Sequence, residues 1–259
     1  MNTGMGRRGA AWKTPTVTAD GLKIFACVVM LIQNIGIAIV ENGLIKLDQY
    51  TQESLSMAME TNSDLMFLAG AGSIMQLIGG MAVPVFAFLL VEGFLKTSDY
   101  RKYLLSMAVF AVISEVPYDL AMNQRLIDHS GQNALFSMTI SLLMLYFLKM
   151  MKKKKGAVYA AAQVLIVICA VIWASLFRAQ YGLCIVLLAA IFYLFYTKHV
   201  LKTVLGIIVS LLYVTGPISF YGIWCYNEER KNILPKYAYY VFYPLHLLVL
   251  GLIVKLFMA

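Results

Sequence analysis

The chain has 259 residues, of which 61% are hydrophobic and only 13% charged, with a mean hydropathy of +0.77 and a formal net charge of +8. A water-soluble domain of this size carries about 25% charged residues to cover its surface, so the composition excludes an ordinary soluble globule and makes lipid the solvent. The positive charge calls for no nucleic acid partner, because the bases sit in short blocks between apolar runs, where they set orientation and face anionic headgroups of the bilayer.

At about 20 apolar residues per crossing, the runs in chain order predict helices at 21–40, 65–95, 101–122, 134–151, 156–176, 182–198, 201–224 and 237–257. Backbone inside a bilayer must satisfy its own hydrogen bonds, and continuous apolar runs rather than ten-residue alternation predict helices, not a barrel. The expected fold class is all-α, a polytopic membrane helix bundle of about eight transmembrane helices. Arg7, Arg8, Lys13 and Lys23 precede the first run. Lys96, Arg101 and Lys102 follow the second, Lys149 and the lysines at 152–155 the fourth, Lys198 and Lys202 the sixth, and Lys255 lies near the end. With these bases inside, both termini are expected in the cytoplasm. The 41–64 loop, with Glu41, Asp48, Glu53, Glu60 and Asp64 against Lys46 alone, then faces outward. Residues 1–20 read as a cytoplasmic segment and 21–259 as one transmembrane domain of the cell (cytoplasmic) membrane. Gln33 and Asn34 interrupt the first run and no small-residue cleavage site follows it, so no removable signal peptide is expected.

Cys27, Cys169, Cys184 and Cys225 are isolated, which indicates neither a zinc site nor a disulfide framework. His129, His199 and His246 lack ligand spacing, so no metal is expected, and no glycine-rich phosphate loop is present. Gly70, Gly72, Gly79 and Gly80 suit close helix approach.

Ionisable groups inside spanning segments are functional candidates because the bilayer penalises them. Glu92 follows a proline in PVFAFLLVEGF; Glu115 and Asp119 share a helix face in SEVPYDL, with Pro117 disturbing the hydrogen-bond ladder between them. Each also reads as an internal ion pair or hydrogen bond that fixes packing. His246, in YPLHLLVLG, reads either as a proton-transfer group or as a satisfied neutral imidazole. Tyr237, Tyr239, Tyr240 and Tyr243 suit an interfacial aromatic belt.

Six strings in order, GLKIFACVVMLIQNIG, PVFAFLLVEGFLKTSDYRKYLL, FAVISEVPYDLA, GQNALFSMTISLLML, QYGLCIVLLAAIFYLF and YYVFYPLHLLVLGLI, resemble successive blocks of the TraX family from about Asp20 onward. The resemblance implies a multi-pass inner-membrane protein of conjugal transfer, associated with N-terminal acetylation of pilin and akin to membrane acyltransferases. It implies acyl-CoA, acetyl-CoA in particular, as donor, and a peptide or pilin amine or a glycan hydroxyl as acceptor. Three positions depart from the family pattern. Gln33 and Asn34 stand where members usually carry Asp-His, Gly80 where they commonly carry arginine, and Gln180 where Asp precedes the Tyr181-Gly182 pair. Joint loss of such charges leaves none buried and unpaired, so a pocket can persist with altered chemistry.

On this reading Glu92, Glu115 and His246 are the catalytic candidates. Gln33, Asn34, Asn133, Gln180 and Tyr243 are the substrate-binding candidates; Glu92, Glu115, Asn133 and His246 are expected to line one polar cavity, with Gln33 and Asn34 positioning rather than activating. Arg101 and Lys102 lie on the side where a CoA phosphate would arrive. The alternatives are a non-catalytic binding, immunity or accessory protein on the same bundle, and a secondary transporter with Glu92 or Glu115 carrying protons, although no inverted repeat is visible.

Overall fold

The computed structural model describes residues 15–258 apart from 152–155, 232 and 234. Arg7, Arg8, Lys13 and the lysine run at 152–155 therefore lie outside the described residues. Among the described residues the chain is helical, with only two isolated β-bridges.

Helix α1 (Ala19–Ile35) begins at Thr18, whose side chain accepts a hydrogen bond from Gly21 N, and continues as a ten-residue π-helix, Gly36–Ile45. The wider turn directs Asn42 to the carbonyls of Ala121 and Met122, at 3.2 and 2.8 Å, and Glu41 to the Gln76 amide. Exposed α2 (Gln52–Thr61), with a Thr51–Ser54 capping box, leads to α3 (Ser63–Gly79) and α4 (Ala82–Lys96), which pass together as one 34-residue span. Helices α5 (Tyr100–Ile113) and α6 (Glu115–Asn123) meet at a 42° bend. Its position at Ser114 follows from Pro117, which cannot donate to the carbonyl four residues back. Then come α7 (Ala134–Met151), α8 (Ala157–Leu176), α9 (Gly182–Leu194), α10 (His199–Ser210), α11 (Phe220–Trp224) and α12 (Lys236–Phe257). Five spans are long and apolar enough to cross a membrane, six if the bent α5–α6 pair counts as one.

The remaining two expected spans take other forms. Helix α9 has 13 residues, about 20 Å at 1.5 Å per residue, short of a hydrocarbon core of about 30 Å. It is apolar on all sides and largely buried, packed among α4, α7, α8 and α10, as a central helix should be. The 201–224 run does not cross. Helix α10 enters, the chain turns at Gly216, where a Cβ would lie 2.6 Å from Ser210 O, and α11 returns. The Phe220 ring occupies the space beside Gly206, where a Cβ would sit 2.6 Å from it, and Trp224 Nε1 donates to Thr203 Oγ1 at 2.8 Å. The hairpin tip is pinned by a hydrogen bond from Thr215 Oγ1 to Leu77 O. Gly80 leaves room there: a Cβ would lie 2.8 Å from Thr215 Oγ1.

This re-entrant hairpin reverses the sidedness of everything after it. The loop following α11 joins the start of the described chain, with Val17 N donating to Cys225 O at 2.7 Å, Asn227 N to Val17 O at 3.0 Å and Ala19 N to Glu229 O at 2.9 Å. Helix α12 then runs away from that end, until Met258 and Val254 pack against Gly43. Val17 and Met258 thus lie at opposite ends of the bundle, correcting the expectation that both ends of the chain share a side. The basic end gathers Lys23, Lys96, Arg101, Lys102, Lys149, Lys198 and now Arg230; Lys255 moves to the acidic end with Lys46 and the acidic 41–64 segment.

Candidate functional site

Among the described residues, the buried candidates fall into three polar groups that are separately hydrogen-bonded. In the first, α1 and α12 meet through Asn34 Nδ2 and His246 Nε2 at 2.7 Å, while His246 Nδ1 lies 2.7 Å from Phe242 O. A carbonyl only accepts, so Nδ1 carries the proton and the Nε2 lone pair receives the Asn34 amide. Both residues are buried, at 5% and 8% exposure. Gln33, one residue earlier, turns to a different partner and donates to Tyr181 Oη at 2.7 Å. Gly79 makes this passage possible, since a methyl group there would collide with the Gln33 side chain.

The second group sits at the α5–α6 bend. Asn133, fully buried, caps α7 by accepting from Leu135 N at 3.0 Å and donates to Ala111 O at 2.8 Å and to Glu115 Oε2. Asp119 Oδ2 accepts from Asp128 N at 2.8 Å. Glu115 Oε1 and Asp119 Oδ1 are buried without a hydrogen-bond partner among the described residues. Gln180 contributes through its backbone: its N–H donates to Gln132 O at 2.8 Å and its carbonyl accepts from Ser137 Oγ at 2.7 Å. In the 124–133 loop, the Ser130 hydroxyl beside Asp128 holds that carboxyl below the usual carboxylate range.

The third group is an ion pair at the basic end. Glu92, 4% exposed, pairs with Lys96 at 2.9 Å and accepts from Tyr196 Oη at 2.9 Å and Tyr226 Oη at 3.4 Å. Burial pushes the Tyr226 phenol up, against the opposing effect of Lys96, whose ammonium donates to it at 3.1 Å. Here the packing role weighed for Glu92 is fully satisfied.

A cavity of about 510 Å³ relates these groups. Its mouth lies at the basic end, bordered by Lys23, Lys96, Arg230 and Glu92; Met30, Phe86, Leu89, Leu90, Met107 and Met138 form an apolar wall; and Tyr243, Ala134 and Leu135 close its inner end. Lys96 and Phe86 are ten residues apart on α4, so the wall descends about 15 Å. Tyr243 is the link to the polar interior. Its ring packs edge-on against His246, 5.8 Å between centroids. The structure therefore brings Glu92 and Tyr243 to the cavity, and sets His246, Asn34, Glu115 and Asn133 behind Tyr243 rather than in one shared chamber. Gln33 and Gln180 stand further off. Arg101 and Lys102 begin α5, where Asp99 caps the Lys102 N–H; Arg101 borders a separate depression of about 140 Å³.

Arg230 and Tyr226 escaped the sequence reading because the 201–224 run, taken as a crossing, put their loop on the far side. The Gly216-Pro217 pair within that run was the signal for a turn.

These features define a multi-pass helical membrane protein with a cavity that opens at its basic end and stops in mid-bundle beside buried histidine and carboxylate groups. The chain matches the TraX protein family over residues 18–254, nearly its whole length, and belongs to that family. No curated protein and no solved structure matches it.

Proposed function

We propose that this chain is a membrane-bound acyltransferase of acetyltransferase type, in the cytoplasmic (inner) membrane with its basic end in the cytosol. The observation that carries the reading is the 510 Å³ cavity, with cations at its mouth, apolar walls and an inner end at Tyr243. Acyl-CoA, acetyl-CoA in the simplest case, is the donor that this shape and charge suit. The acceptor, a peptide or pilin amine or a glycan hydroxyl, comes from the acidic end, where the 124–133 and 177–181 segments pair through Gln132 and Gln180. Attack of its nitrogen or oxygen on the thioester carbonyl forms the new amide or ester, breaks the C–S bond and releases CoA thiol, while the acceptor's proton goes to a base of the chain. His246 Nε2 is that base once the acceptor displaces the Asn34 amide, because a general base must reach the proton it removes. Tyr243, between cavity and imidazole, orients the carbonyl.

One observation favours a second reading. Asn34 occupies the Nε2 lone pair and Gln33 is held by Tyr181, so the polar interior is self-satisfied, as suits a non-catalytic binding or accessory protein. Purified protein in nanodiscs, given acetyl-CoA and a peptide with a free amino terminus, separates the two. Transfer is expected, followed as CoA thiol release and acetylated peptide mass, and is abolished in His246→Ala. No turnover by the wild type, with activity gained in a Gln33→Asp, Asn34→His double variant, rejects catalysis and leaves the binder.

A further inference from the structure

Lys23, Lys96 and Arg230 border the cavity mouth, and two of these three cations are paired with carboxylates. Lys23 pairs with Asp20 at 3.4 Å and Lys96 with Glu92 at 2.9 Å. Glu228, also at the mouth, faces Tyr196 and Lys202 electrostatically. Arg230 has no carboxylate within ion-pair distance among the described residues and borders the same opening as Lys23. Like charges held together at the opening of an otherwise apolar cavity are stabilised by an anion placed between them. Arg230 is held there by the backbone pairing of the 225–229 loop with Val17 and Ala19, and Lys23 stands one helical turn into α1. Neither Arg101 nor Lys102 borders this opening.

We infer that Arg230 and Lys23 form a phosphate-binding clamp at the mouth, which anchors the anionic head of an amphiphilic ligand whose apolar or thioester-bearing part lies in the cavity. This rests on the donor reading above and identifies the part of the donor that the mouth recognises: the phosphates of CoA rather than its acyl group. An arginine suits the role because its planar fork binds phosphate oxygens in pairs, whereas lysine acts as a point charge. Both positions bind the donor and touch no reacting atom, so their loss acts on affinity rather than on the chemical step.

The test measures binding of CoA and of pantetheine, which lacks the phosphates, to the whole protein in neutral phosphatidylcholine nanodiscs by titration calorimetry. CoA is expected to bind with an affinity that falls with salt; Arg230→Gln weakens it by at least about tenfold, the size of a lost charge-assisted contact. Arg230→Lys recovers part of the loss, and pantetheine binds weakly to all three proteins alike. Lys23→Gln supplies an independent second variant. Equal CoA affinity in wild type, Arg230→Gln and Lys23→Gln overturns the clamp even if acetyl transfer is observed. Arg230-dependent CoA binding without any transfer leaves the clamp standing and removes the acyltransferase. If phosphatidylglycerol binds in an Arg230-dependent way while CoA does not bind, the anion is a lipid headgroup and the assignment to the donor fails.

Discussion

Asn133→Ala is the most informative stability variant because one small amide joins three elements. It caps α7 through Leu135 N, bonds the last turn of α5 through Ala111 O, and among the described residues supplies the hydrogen bonds to the Glu115 carboxylate, from its side chain and its own N–H. Losing an N-cap of this kind costs about 1 kcal/mol. Removing the buried partner of a carboxylate in water-soluble proteins costs about 1–3 kcal/mol, but hydrogen bonds within membranes average about 0.6 and reach about 1.7 kcal/mol, since the membrane-unfolded chain finds other partners. With Asn133 fully buried, the upper part of that range applies, and the sum is about 2–3 kcal/mol. That corresponds to a 30- to 150-fold shift in the unfolding equilibrium, by roughly tenfold per 1.4 kcal/mol. Asn133→Ser divides the contributions: serine still caps the helix and loses the side-chain bonds to Ala111 O and Glu115, so about 1 kcal/mol should return. The assay is reversible unfolding in bicelles with increasing sodium dodecyl sulfate, followed by helical circular dichroism. Alanine and serine variants both within about 0.5 kcal/mol of wild type would refute the claim that Asn133 holds the α5–α6 bend against α7.

Sidedness is the broadest of the remaining predictions. With the four native cysteines replaced, Ser98→Cys and Glu228→Cys should react with an impermeant maleimide from the same side and Lys255→Cys from the opposite one. Labelling of Ser98→Cys and Lys255→Cys together, with Glu228→Cys opposite, would restore a full crossing at 201–224. Gly206→Ala should destabilise by about 1–3 kcal/mol through overpacking against Phe220, read as a lower thermal midpoint; an unchanged midpoint argues against the returning α11. Asp128 offers a pH test outside the membrane spans. Ser130 depresses its carboxyl in the folded state, so the contribution to loop stability is full above the unfolded value and fades as pH falls through the lower folded one. Ser130→Ala should move the carboxyl carbon titration of Asp128 upward; an unmoved midpoint contradicts the hydrogen bond.

Which polar residues would be buried was legible residue by residue, and their grouping was not. Glu92, Glu115, Asn133 and His246 stand out in the chain because charge and amide are costly in lipid, and each is indeed buried or half-buried. Yet adjacent Gln33 and Asn34 point to different helices, since successive residues on a helix are turned about 100° apart, and Glu92 belongs to the mouth rather than to the mid-bundle group. Arg101 and Lys102 lie at the basic end without bordering the cavity; which base faces it depends on how α4, α12 and the 225–230 loop converge.

From the sequence alone came the solvent, the helical class, the order of apolar segments and the family, because each follows from composition and local pattern: a bilayer demands apolar length and internal hydrogen bonding from every span separately. The tertiary structure decided how many of those segments cross and where the last helix ends. Hydropathy measures only how oily a run is, and a hairpin that dips between α4 and α9 and returns is as oily as a rod that passes through. Contacts of small residues, Gly206 against Phe220 and Gly216 against Ser210, set that choice, and they exist only once distant parts of the chain have packed.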